Sequence, residues 1–89
     1  MNIFYLDPDP VIAARYHADK HVIKMILESA QLLSTTHHIA QSSQETLDNI
    51  YKPTHFNHPS TIWVRQSKAN YLWLFSLFLA LIDEYAFRF

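Results

Sequence analysis

His17, His21, Lys24, Glu28 and Gln31 follow one another at spacings of three and four residues. On a helix turning about 100° per residue they fall within an arc of about 80°, with Lys20 beside them and Thr35 continuing the row. A solvated face normally mixes Glu, Lys, Gln and Ser. This one is rich in histidine and holds a single carboxylate. Three chemistries suit it. The plainest is an exposed face with a Lys24–Glu28 pair, worth a few tenths of a kcal/mol. The second is metal binding, since His17 and His21 stand four apart and Glu28 could be a third ligand, although Lys20 and Lys24 oppose a nearby cation. The third is anion recognition, with ammonium and imidazole N–H donors facing a phosphate or carboxylate and Glu28 orienting a lysine or acting as a base.

A second polar group lies downstream. Tyr51-Lys52-Pro53-Thr54-His55-Phe56-Asn57-His58-Pro59-Ser60 carries its hydrogen-bonding side chains between prolines that restrict the backbone. Trp63, Arg65, Gln66, Lys68 and Asn70 follow. A helix starting near Ser60 would present free N–H groups to an anion, and Arg65 could grip one bidentately. The alternative is a polar loop with an ordinary exposed first turn. The functional expectation is that this connector folds back, so that His55, Asn57, His58 and Arg65 face His17, His21, Lys24 and Glu28. That cluster would bind a phosphate-bearing ligand, a nucleotide or a nucleic-acid end. His17, His21, Glu28 or His58 would serve as acid–base, and Lys20, Lys24 and Arg65 would hold charge. Metal-dependent hydrolysis with His17, His21, Glu28 and His58 as ligands is the second expectation, and a non-enzymatic assembly module the third.

Composition narrows the field. Eighty-nine residues fit one domain, 1–89. The net charge of −1 excludes a strongly basic, salt-driven nucleic-acid binder at neutral pH. The absence of cysteine excludes disulfides, thiolate zinc sites and a cysteine nucleophile; the absence of glycine excludes P-loops and glycine-rich dinucleotide turns. The longest apolar run, Tyr71 to Ile82, is 12 residues with Ser76 as its single polar member. A membrane span needs about 20, so the run reads as a core or oligomer helix.

The elements that must position these residues are helical. Asn2 to Leu6 reads as an extended arm or short strand, and Asp7 and Asp9 set it apart from a signal peptide. Asp9 caps a helix with Pro10 at its first position, running from Val11 to about Leu33 with His37-His38 as a last turn. Gln41 to Asn49 reads as a surface loop with at most one short helical turn. Asn57 or Ser60 caps a final helix from about Thr61 to Phe87. The expected fold is all-α: two long antiparallel helices of roughly 25 residues, about 35–40 Å each, with an ordered polar connector and a short N-terminal arm. The last helix is apolar around most of its circumference and must be covered on every side. Self-association into a homodimer or higher oligomer would cover it, and so would a C-terminal segment of a longer protein.

The blocks Asp7-Pro8-Asp9-Pro10, Tyr16-His17-Ala18-Asp19-Lys20-His21 through Leu33, Tyr51 to Pro59, Trp63-Val64-Arg65-Gln66-Ser67, Asn70-Tyr71-Leu72-Trp73-Leu74 and Glu84-Tyr85 resemble a family of small proteins. That family is encoded by tailed phages, cyanophages and marine viral metagenomes and carries no assigned activity. The resemblance spans the chain except about residues 39–50. It implies a protein of the host-cell cytoplasm whose relatives continue past Glu84-Tyr85.

Overall fold

The computed structural model describes residues 3–40, 42–54 and 56–89. Five helices form: α1 Pro10–Arg15, α2 Asp19–Ile39, α3 Gln44–Asp48, α4 Pro59–Gln66 and α5 Lys68–Arg88. No strand occurs among the described residues, and the fold is all-α as expected. The long helices α2 and α5 pack antiparallel. Arg88 meets Asp19 at one end, with 3.0 Å between Nη1 and Oδ1, and Tyr71 meets His37 at the other, with 2.6 Å between Oη and Nε2. Burial pushes the Tyr71 phenol up, so at neutral pH it keeps its proton and shares a hydrogen bond with His37.

Each expected long helix is split. The first begins as anticipated, with Asp9 Oδ1 accepting from the Val11 N–H at 2.9 Å and Pro10 in the first turn. It stops at Arg15, although neither glycine nor proline intervenes. The Arg88 guanidinium is the reason. It donates to the carbonyls of Arg15 and His17, at 2.9 and 2.7 Å, which a continuous helix would use for its own ladder. The next helix begins at Asp19, after Ala18 in extended backbone (φ −64°, ψ 154°). The second split falls at Ser67, in extended backbone (φ −155°, ψ 155°). Its Oγ accepts from the Asn70 N–H at 3.0 Å, and the Asn70 amide donates to the Trp63 carbonyl at 2.8 Å. A cap inside the expected helix thus ends α4 and starts α5.

The core follows from helical spacing. Leu74, Leu77 and Leu81 of α5 are fully buried against Val22, Met25 and Leu32 of α2, with Ala13 and Ala14 of α1 and Val64 of α4 closing the sides. The connector is tied to α2 by Thr35, whose hydroxyl donates to the Thr54 carbonyl (3.0 Å) and accepts from the Thr54 N–H (3.1 Å). The chain does not cover α5 on every side: Leu72, Phe75, Leu79 and Ile82 stay 40–47% exposed. No helix among the described residues is long and apolar enough to cross a membrane.

Arg88 also pairs with Glu84 at 2.8 Å, and its side chain is only 19% exposed. Arg88→Met is expected to destabilise the protein by about 2 kcal/mol, since several charge-assisted bonds, two of them part-buried, vanish together. Urea unfolding followed by circular dichroism measures this. Arg65→Met, which removes one exposed bond, should stay within about 0.5 kcal/mol. Equal effects of the two substitutions would refute the assigned role of Arg88.

Candidate functional site

From His21 on, Lys24, Glu28, Gln31 and Thr35 form the expected row on α2, with Lys20 beside it, whereas His17 lies before the helix that carries them. Lys20 and Lys24 are exposed, His21 and Glu28 half-buried, and His17 only 3% exposed. The N-terminal arm causes this shielding. Phe4 stacks on the His21 ring with centroids 4.7 Å apart, and meets His17 edge-on at 5.6 Å. Ile3 and Tyr5, on the other side of the extended arm, border a cleft with Pro59, Ser60 and Trp63 of α4, and Tyr5 meets Trp63 edge-on at 6.2 Å. The arm therefore lies between His17 and His21 on one side and the beginning of α4 on the other. It is an extended arm, and no strand forms in it.

His17 sits in the α1–α2 elbow. Its Nδ1 lies 2.7 Å from the Ala13 carbonyl, which can only accept, so Nδ1 carries the proton in the neutral ring. Nε2 then holds a lone pair, and this buried atom has no partner among the described residues. Burial pushes the His17 imidazole below its usual value of 6.5, the Ala13 bond opposes this, and the charges of His21 and Arg88 add to the depression. Glu28 is similar in kind. Its Oε2 is buried and accepts no hydrogen bond, and the exposed Lys24 ammonium stands 4.0 Å away, too far for one. Thr61 Oγ1, on the buried side of α4, and Ser29 Oγ, on the buried side of α2, are also unpartnered. Buried polar atoms without partners are rare enough to need a reason, and waiting for a ligand is one.

The connector residues take other places. His58, and not Asn57 or Ser60, caps α4: its Nδ1 accepts from the Ser60 N–H at 3.1 Å. Arg65 donates to the Phe56 carbonyl at 2.6 Å, closing the turn before α4. Asn57 is exposed in that turn. Neither Arg65 nor Asn57 is hydrogen-bonded to the α2 row, and His55 lies outside the described residues. Among the described residues no three His, Asp or Glu side chains gather as a metal set, so the expected grouping of His17, His21, Glu28 and His58 does not form there. His37 and His38 are structural: His37 joins Tyr71 and Ser42, and His38 binds the Tyr51 carbonyl at 2.9 Å.

Sequence reasoning missed the arm's aromatic residues and Thr61. The alternation Ile3-Phe4-Tyr5 next to the histidine row was the available signal for the arm. Thr61 on the apolar side of α4, three residues before Val64, was the other. Comparison with known protein families, with characterised proteins and with solved structures returns no match.

The depressed His17 basicity sets a pH dependence. Below pH 6.5 the unfolded chain takes up a proton at this position that the folded chain resists, so stability falls with acidification and is fully present above that value. Urea unfolding of wild type should weaken from about pH 7.5 to about pH 5.5, and His17→Phe should show a shallower loss. Identical slopes for the two proteins would contradict the buried neutral imidazole.

Proposed function

We propose that the chain binds a phosphate-bearing ligand, a nucleotide or a nucleic-acid end, on the face where α2 meets the arm and the start of α4. The observation that supports this best is the juxtaposition of exposed Lys20 and Lys24 with His17 Nε2 and Glu28 Oε2, two shielded atoms that lack a hydrogen bond, along the start of α2 and the elbow before it. The ammonium groups would meet the phosphate, and Glu28 would steer Lys24. The N-terminal end of α4 and the remaining donors of exposed Arg65 add positive potential nearby. Phosphoryl or nucleotidyl chemistry here would use the His17 lone pair or Glu28 as proton acceptor, with Lys24 offsetting charge in the transition state. Titration calorimetry with nucleotides and inorganic pyrophosphate tests the reading. Lys24→Ala should weaken binding about tenfold, the loss of one charge-assisted contact. No heat from any member of that panel, with the protein folded, would end it.

A second reading concerns assembly. Leu72, Phe75, Leu79, Ile82, Ala86 and Phe89 are all exposed and repeat at alternating spacings of three and four, the seam of a coiled coil. Beside the seam an apolar groove runs along Ile23, Leu27, Phe78 and Tyr85. Together these side chains form one continuous apolar strip along α5 and its junction with α2, the kind of surface that a stable interface buries. A second copy of the chain is the occupant that suits a self-complementary seam. Sedimentation equilibrium should return twice the chain mass of 10.5 kDa, and Leu79→Glu should return a monomer with unchanged helicity. A monomeric wild type would dismiss this reading. Both readings suit a protein at work in the cytoplasm of an infected host, the setting that the phage-type resemblance implies.

A further inference from the structure

On the other side of the arm, a cleft of about 530 Å³ opens at the α4–α5 corner, lined by Ile3, Tyr5, Pro59, Ser60, Trp63 and Asn70. Its volume lies in the range of small-molecule sites. Its walls are aromatic. Tyr5 stacks on Trp73 at 4.3 Å and meets Trp63 edge-on at 6.2 Å, and Trp63 meets Trp73 edge-on at 6.1 Å. Trp73 is pinned by its indole N–H, which donates to the Pro8 carbonyl at 2.9 Å. Tyr5 remains 53% exposed, so much of its ring is open to a second planar group.

The rim is polar and uncharged. Asn70 uses its amide N–H on the Trp63 carbonyl, which leaves its side-chain oxygen as an acceptor. The Ser60 hydroxyl and the Trp63 indole N–H have no hydrogen-bond partner among the described residues, and supply donors. Among the described residues no cation lines the cleft, which makes it a poorer match to phosphate than to an uncharged ring. Aromatic walls with donors and an acceptor at the edge match a flat heteroaromatic ring that carries both kinds of group on its perimeter.

We propose that this cleft binds the base of a nucleoside. The site stands on its own lining. Its further role, holding the base of the ligand whose phosphate meets Lys24, rests on the reading above. The arm is the shared wall, with Tyr5 turned to the base and Phe4 turned to His17 and His21.

Both tryptophans of the chain belong to this aromatic cluster, so intrinsic fluorescence reports on it directly. Adenosine or thymidine added to the full chain should quench it saturably, and inorganic phosphate alone should not. Tyr5→Ala should weaken nucleoside binding about tenfold, the loss of one stacking partner, with the circular dichroism unchanged. Trp63→Phe keeps an aromatic wall and leaves Trp73 as reporter, so binding should persist within a few-fold. Absence of saturable quenching by any nucleoside, or wild-type affinity in folded Tyr5→Ala, would overturn the proposal. Nucleoside binding that gains nothing from an attached phosphate would support this site and remove the phosphate reading alone.

Discussion

The Arg88 guanidinium holds the chain's far end to the elbow between its first two helices. It takes up carbonyls that α1 leaves exposed when it ends, and it pairs with carboxylates from α2 and α5. Without it the Arg15 and His17 carbonyls would lose their donor, the second of them in a part-buried place. The bend at Tyr16–Ala18 depends on that capture. So does the burial of His17, because a straight helix would carry residue 17 along the same exposed row as Lys20 and Lys24. One cation thus sets where the helical layer turns and which imidazole is taken out of water.

Much of the architecture was legible in the residues. The Asp9-Pro10 start, the polar row on α2, the short helical turn after Ser43 and the antiparallel pairing of α2 with α5 all follow from capping chemistry and helical periodicity. The two breaks were not legible for different reasons. Ser67 and Asn70 form a local cap, but Ser and Asn also occur within helices, so periodicity outweighed them. The elbow at Tyr16 has no local cause, since its cause lies 71 residues beyond His17. The connector illustrates a third limit. Proline-bounded histidines suggest a site, yet His58 is used as a cap and Arg65 as a turn closure. Residue type alone does not say whether a polar group satisfies the backbone or faces a ligand.

Aromatic surface is distributed unevenly. Where the arm lies, rings cover rings and two imidazoles. Along the outer side of α5, apolar side chains at heptad spacing meet water. A chain this small does not wrap a 21-residue helix on all sides: Leu74, Leu77, Ala80 and Leu81 are buried, while the opposite side of α5 stays open.

The arm is held by ring contacts, and among the described residues no backbone ladder fastens it to the helices. Phe4 and Tyr5 are consecutive on one extended segment, so a displacement of either ring would carry the other with it. Two ligands held on opposite sides of such a segment would be linked, each tightening the other's binding by the same factor.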